Sequence, residues 1–280
     1  MTPYERRCEI GEFLRSRREA LLPEGVGLIR GGRRRVRGLR REEVAELSGV
    51  SSSWYTWLEQ GREVRPSLAT LQRIAAALQF SHAESAYLGL LSGFRSDWRL
   101  RPIPSPQVCT IAGILDSFKG VPAVLYNRRF DVVAANVPAR ALYGQDIDSE
   151  GLWARNMLWR FFMDPERRRL YPDDSADRGV RNLIEVLRMN WVASEERDGI
   201  DELVEELRKY REFDVTWRER RVAMLATLPG RVQPRTCSEA IPVRYTRLAV
   251  HGDGHHVIEA LIPVGNSAAS SLERCLDNVA

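Results

Sequence analysis

The sequence predicts a fold of two parts, an all-α domain followed by a larger α+β domain. In the N-terminal part, apolar residues recur at the three- and four-residue spacing of helices, whereas beyond residue 107 several stretches alternate as strands do. Between the two lies RLRPIPSPQ, whose prolines remove backbone donors and disfavour helix. We therefore place the boundary near residue 104, with domains at 1–103 and 104–280.

The N-terminal domain is predicted to contain five helices. Ile10 and Leu14 belong to an apolar stripe that predicts a first helix from about Glu5 to Leu21. Two short helices fall within the run REEVAELSGVSSSWYTWLEQG. A fourth opens after Ser67, whose hydroxyl can cap free backbone N–H groups, and a fifth spans Ala83 to Leu91.

The two short helices are predicted to form a helix-turn-helix. Gly49 lies where the chain must turn sharply, a position that favours positive φ. Ser51 can cap the second helix, and Tyr55 and Leu58 can anchor it to the core. The outward face of that helix can then enter a DNA major groove and contact base edges. The predicted base-facing residues are Ser52, Ser53, Thr56 and Trp57.

A dense arginine run precedes the helix-turn-helix. The N-terminal domain carries 18 arginines against 12 acidic residues, and this basic balance suits a polyanionic partner. Phosphate contacts would release counterions, whereas the alternative is a solvated charged loop. The predicted phosphate contacts in and beside this run are Arg33, Arg34, Arg35, Arg37, Arg40 and Arg41. Arg62 and Arg65, after the recognition helix, complete the set.

Residues 5–80 resemble the lambda-repressor-like (Cro/C1-type, XRE) helix-turn-helix domain. The run GLRREEVAELSGVSSSWYTWLEQGR is similar to the subgroup typified by MmyB-like regulators. This resemblance implies five helices, with the third as the recognition helix and Arg41 facing a phosphate. It also implies base-facing positions for Ser52, Ser53 and Trp57. Trp57 departs from the polar residue usual at its position, and it could stack on a sugar or touch a thymine methyl group.

The C-terminal domain is predicted to mix helices and strands. Residues 108–118 are predicted to be helical, and PAVLYNRRFDVVAANVPARALYG predicts a strand, a turn, a strand and a helix. Amphipathic helices follow over residues 180–191 and 200–210, and IPVRYTRLAVHGDGHHVIEALIPV predicts a β-hairpin. Residues after Gly265 are predicted to form a loose tail. The four cysteines form no CxxC pair and are predicted to be reduced.

Residues 107–265 are similar to the MmyB-like ligand-binding domain, a PAS-like fold. The resemblance rests on the strand-turn-strand segment, RNMLWRFFMDPERRRLY, FDVTWRERRV and the C-terminal hairpin. It implies an apolar cavity and a small, partly apolar or fatty-acid-like ligand. Large apolar side chains with polar tips suit such a cavity, although they also suit an ordinary core. The candidate pocket residues are Tyr126, Asn136, Phe161, Phe162, Met189, Trp217 and Tyr245.

The sequence therefore favours a DNA-binding transcription regulator that senses a small ligand, acts as a homodimer on double-stranded operator DNA and resides in the cytoplasm. One alternative is a C-terminal domain that serves only dimerisation. Another is an enzyme fused to a DNA-binding anchor, but no GxSxG, GxGxxG or phosphate loop is present. His251, His255 and His256 indicate a hairpin loop rather than a metal site, and no cofactor or membrane span is expected.

Overall fold

The structure is a computed structural model that describes residues 1–28, 37–94, 113–144, 151, 153–172, 175–194, 199–250 and 256–277. The chain forms two compact units. The first contains residues 1–96 together with the short segment 218–223, and the second contains residues 97–217 and 224–280. The predicted domain boundary at residue 104 lies outside the described residues, as do residues 108–112 of the predicted helix 108–118 and the loop 251–255.

The first unit is helical, as predicted. Its helices are α1 (Pro3–Ala20), α2 (Arg41–Ser48), α3 (Ser52–Glu59), α4 (Leu68–Ala77) and α5 (His82–Leu91), with a 3-10 turn at Pro23–Val26. The predicted caps are confirmed, because the hydroxyl of Ser51 accepts from the backbone N–H of Trp54 and that of Ser67 accepts from Thr70. These bonds satisfy backbone donors that a helix start leaves free.

Helices α1 and α3 of the first unit pack backbone to backbone. Gly11 on α1 lies so close to α3 that a Cβ atom added there would be 2.3 Å from the carbonyl oxygen of Glu59. Around this contact Phe13, Leu14 and Tyr55 are fully buried. The close approach therefore depends on the missing side chain at Gly11.

We expect Gly11→Ala to destabilise the helical unit by about 2 kcal/mol, because two stretches of backbone must separate to admit one methyl group. Gly89→Ala is a matched control within α5, since its Cβ would meet its nearest neighbour, the Phe94 carbonyl oxygen, at an ordinary 3.5 Å. Urea denaturation followed by circular dichroism measures both. Equal stability of the two variants would contradict this close packing.

The second unit combines helices with one antiparallel sheet. Its helices are α6 (Val137–Tyr143), α7 (Met157–Met163), α8 (Pro165–Arg169), α9 (Ser175–Ala193), α10 (Ile200–Leu207), α11 (Arg211–Arg218) and α12 (Asn266–Asp277). Its strands are β1 (Ala123–Tyr126), β2 (Val132–Ala135), β3 (Leu228–Val232), β4 (Ile241–Ala249) and β5 (Val257–Pro263), in the order β2-β1-β5-β4-β3.

Strand pairing in this sheet confirms both predicted hairpins. Strand β1 pairs with β2 across the predicted turn, and β4 pairs with β5 so that Arg247 lies opposite Glu259. Because neighbouring side chains along a strand point to opposite faces, the sheet has two different surfaces. One face carries Leu125 and Ile258 in an apolar cluster. The other carries Tyr126, which hydrogen-bonds to Glu259.

Two expectations about the C-terminal region were wrong. The segment after Gly265 is the helix α12 and not a loose tail. Its residues Ala268, Leu272 and Leu276 recur every four positions, so they share one helix face, and all three are buried. Cys237 and Cys275 form a disulfide. The two residues are 38 positions apart, and only the folding of α12 onto the sheet brings them together.

Candidate nucleic-acid interface and ligand cavity

Helices α2 and α3 form the predicted helix-turn-helix. Gly49 adopts φ +65° after α2, and the next amide, that of Val50, bonds back to the carbonyl of Ala45. This left-handed residue ends the helix and redirects the chain within two residues. Tyr55 is fully buried and Leu58 is 4% exposed, as the anchoring prediction required.

The predicted base-facing residues share the surface of α3 opposite that anchor. Ser53 and Trp57 are exposed, and 44% of Trp57 is open to solvent. Ser52 and Thr56 are half-buried, and the Thr56 hydroxyl donates to the Ser52 carbonyl one turn earlier. Ser53 and Trp57 are thus the most accessible of the four.

A buried carboxylate holds the end of α3. The Glu59 side chain is fully buried and accepts from the Arg18 Nε at 2.5 Å and from the Arg41 Nε at 2.7 Å. Burial alone would lower the pKa of Arg18, but its hydrogen bond to Glu59 and the charge of Glu59 raise that pKa above its ordinary value. Burial, followed by the charge of Glu59, raises the pKa of Tyr55. This ion pair joins α1, α2 and α3.

The predicted phosphate-contacting arginines occupy several places. Arg37, Arg40, Arg62 and Arg65 are exposed. Arg41 is 38% exposed while its Nε is bonded to Glu59, so this residue is partly engaged in the core of its own unit. Arg33, Arg34 and Arg35 lie outside the described residues.

A cavity opens in the second unit on the Tyr126 face of the sheet. The cavity itself has a volume of about 60 Å³, and the empty space reaches about 630 Å³ when the open mouth is included. A space of this kind suits a small or slender ligand. The lining residues are Tyr126, Phe130, Met157, Phe161, Arg167, Tyr171, Gly179, Val180, Leu183, Leu228, Tyr245, Arg247 and Glu259.

One charged pair in the cavity wall is internally balanced. The Arg247 Nε donates to Glu259 at 2.6 Å, and the Tyr126 hydroxyl donates to the same carboxylate at 3.3 Å. Arg247 also donates to the Asn182 side chain. Burial would lower the pKa of Arg247, but Glu259 raises it above its ordinary value. This pair therefore needs no further counter-charge.

Arg167 in the same wall has a different environment. It is 2% exposed, its guanidinium stacks over the Tyr143 ring at 4.0 Å, and its Nη1 donates to the Tyr143 carbonyl. Its Nη2 lies 2.7 Å from the sulfur of Met157. Among the described residues no carboxylate lies within ion-pair distance of Arg167, and burial lowers its pKa. A buried cation without an anionic partner is costly.

Three of the seven candidate pocket residues line the cavity: Tyr126, Phe161 and Tyr245. Phe162, Met189 and Trp217 lie outside its wall, and Phe162 and Trp217 both pack against Phe213.

Asn136 also lies outside the wall. Its side chain caps α6, accepting from Ala139, and donates to the carbonyl of Val121. These bonds make it a buried structural residue.

Arg167, Arg247 and Glu259 are cavity residues that sequence reasoning missed. In the predicted hairpin Arg247 and Glu259 lie six residues on either side of Asp253, which was a usable signal. The local sequence ERRRL contains no comparable signal for Arg167, because three consecutive arginines look alike in the sequence. Only the orientation of α8 turns Arg167 inward and leaves Arg168 and Arg169 more exposed.

In the described part of the chain, no group of three or more His, Cys, Asp and Glu side chains is arranged to hold a metal ion. No helix in the same residues combines the length and apolar character needed to span a bilayer.

Comparisons with known proteins agree with this architecture. Residues 9–88 match a family model described as a helix-turn-helix domain, and residues 109–274 match the MmyB-like transcription regulator ligand binding domain. An uncharacterized HTH-type transcriptional regulator, y4dJ, of Sinorhizobium fredii (strain NBRC 101917 / NGR234) is 45% identical over 51 residues. That match covers 18% of this chain and 65% of the relative.

A helix-turn-helix joined to a ligand-binding domain defines a transcription regulator, not an enzyme. The ligand-binding model matches more than half of the chain, and the chain belongs to the MmyB-like transcription regulators.

Proposed function

We propose that this regulator binds double-stranded operator DNA through α3 and senses a small, partly apolar anion in the cavity of its second, PAS-like unit. It acts as a homodimer in the cytoplasm. The observation that carries the DNA-binding proposal is the accessible surface of α3, with Ser53 and Trp57 outward and Tyr55 buried. The cavity carries the ligand proposal, because its wall contains the buried guanidinium of Arg167, which has no carboxylate within ion-pair distance among the described residues.

The DNA-binding surface combines two kinds of contact. Ser52, Ser53, Thr56 and Trp57 meet base edges in the major groove, where hydroxyl groups bond and the indole contacts a thymine methyl group or a sugar. The arginines around them neutralise phosphates. Base contacts select the sequence, whereas phosphate contacts set the position of the unit on the duplex. These phosphate-contacting residues are Arg33, Arg34, Arg35, Arg37, Arg40, Arg41, Arg62 and Arg65.

A homodimer follows from the size of this surface. Helix α3 has eight residues, and one such helix reaches too few base pairs to select a single operator in a genome. Two copies on a palindromic site, with half-sites about one helical turn apart, double the number of bases contacted.

The Arg33/Arg34/Arg35→Ala variant tests DNA binding. Losing three phosphate contacts reduces the slope of log K against log salt by about 2.7, and we expect affinity for random-sequence duplex DNA to fall by about a hundredfold near physiological salt. The matched control is Arg169/Arg235/Arg274→Ala, which removes the same charge from exposed positions of the second unit. Gel-shift titrations over a salt series measure both. An unchanged slope in the first variant would show that these arginines do not contact phosphate.

The cavity chemistry indicates the class of ligand. The wall is mostly aromatic and aliphatic, its Arg247–Glu259 pair is balanced, and Arg167 has no carboxylate partner among the described residues. A ligand with an apolar body and one anionic group, such as a fatty acid, would bury its body against the wall and pair its charge with Arg167. The alternative function is that the second unit serves only dimerisation. In that case the protein does not bind a fatty acid.

A further inference from the structure

We propose that Cys237 and Cys275 are a reversible thiol–disulfide couple that adjusts the ligand cavity of the second unit. The cysteine chemistry stands on the geometry of the two residues, whereas its effect on ligand affinity rests on the proposed sensing function.

The two cysteines lie where a reagent in solution can reach them. Cys237 lies in the connection between β3 and β4, and Cys275 lies in the last turn of α12. Their Cα atoms are 5.8 Å apart, a separation that a disulfide spans without backbone movement. Both residues are half-buried, so neither is enclosed in the core. The geometry therefore permits repeated opening and closing of the bond.

The chain between these cysteines contains three residues of the cavity wall. Tyr245, Arg247 and Glu259 all lie on β4 and β5, inside the loop that the disulfide closes. The same loop ends in α12, which packs against β4, β5 and α6. The Thr236 hydroxyl donates to the Cys275 carbonyl beside the bridge. Opening the disulfide thus removes a covalent restraint from the segment that holds these three side chains.

The chemistry needs a peroxide as oxidant and a dithiol as reductant. One thiolate attacks the peroxide O–O bond and becomes a sulfenic acid, releasing hydroxide. The second thiolate then attacks that sulfur, forming the S–S bond and releasing a second hydroxide, which is protonated to water; two electrons pass from sulfur to peroxide. A protein dithiol returns two electrons by thiol–disulfide exchange. Where a regulator works beside the chromosome, reducing conditions make disulfides transient and suited to sensing.

We expect the oxidised state to bind an apolar anion more tightly. The closed loop holds Tyr245, Arg247 and Glu259 in place, so less conformational entropy is lost when a ligand enters. A dansyl-labelled undecanoate serves as the probe, and its dissociation constant is expected to rise about fivefold on reduction. Cys237→Ser and Cys275→Ser are expected to keep the weaker affinity under both conditions, whereas Cys8→Ser, at a free cysteine, is expected to respond as the original chain does.

The cysteine cycle is tested first, on the folded full chain. Peroxide treatment, alkylation and peptide mass spectrometry are expected to show Cys237 linked to Cys275, and later dithiothreitol to free both thiols without unfolding. Failure to form the link, resistance to dithiothreitol in the folded chain, or equal probe affinity in the two redox states of the original chain would each overturn the proposal. DNA titration and fatty-acid binding test the proposed function separately. Failure of the proposed function can therefore be distinguished from failure of the redox proposal.

Discussion

Glu59→Gln is expected to lower the free energy of unfolding of the helical unit by about 3–5 kcal/mol. The Glu59 side chain is fully buried and the Arg18 side chain is 5% exposed, so the substitution leaves a buried guanidinium whose remaining carboxylate, the 46% exposed Glu19, is 3.5 Å away. Arg41 loses the same partner, but it is 38% exposed and can be hydrated. Because this ion pair joins three helices, we expect its loss to change the orientation of α3. The affinity for DNA is expected to fall as a result.

The control for this prediction is Glu63→Gln, which removes the same charge from an exposed position shortly after α3. Urea denaturation measures both variants. The double change Arg18→Met with Glu59→Leu separates loss of the ion pair from loss of packing, since a buried pair can be replaced by apolar residues of similar volume at little cost. We expect the double variant to be more stable than Glu59→Gln. Similar stabilities of Glu59→Gln and Glu63→Gln would refute the central role of this carboxylate.

Arg167→Gln is expected to weaken binding of dodecanoate by about ten- to a hundredfold, the usual loss when a hydrogen bond to a charged group disappears. Binding of dodecanol, which has the same chain without the charge, is expected to change by less than about threefold, since it has no charge to pair. The unliganded protein is expected to lose little stability, because Gln removes a buried cation that has no carboxylate within ion-pair distance among the described residues.

Isothermal titration with the two probes measures these affinities, and thermal unfolding measures the unliganded protein. Arg169→Gln is the matched control, two residues further along α8 and 76% exposed. Equal dodecanoate affinity in the original chain and Arg167→Gln would remove Arg167 from the ligand site. Binding of neither probe by the original chain would favour a second unit that serves dimerisation alone.

Local chemistry made the helical unit largely predictable. The caps at Ser51 and Ser67, the turn at Gly49 and the burial of Tyr55 depend on residues a few positions apart. Each is therefore visible in a short window of sequence. The structure then added the Glu59 ion pair, which joins residues 41 positions apart and has no local signature.

The cavity was only partly predictable. Large apolar side chains are common in cavity walls, and this criterion correctly predicts Tyr126, Phe161 and Tyr245. The same criterion also selected Trp217, which packs against other aromatic rings outside the wall. It omitted Arg167, since an arginine in a basic run is ordinarily expected on the surface.

The sequence by itself determined the helices of the first unit, the two hairpins of the second, the helix-turn-helix and the family, because these depend on periodicity, caps and short motifs. Only the tertiary structure decided that Arg167 lies in a cavity, that Cys237 meets Cys275 and that Glu59 holds two arginines. The physical reason is distance along the chain. Burial and charge pairing are decided by segments that meet only after folding.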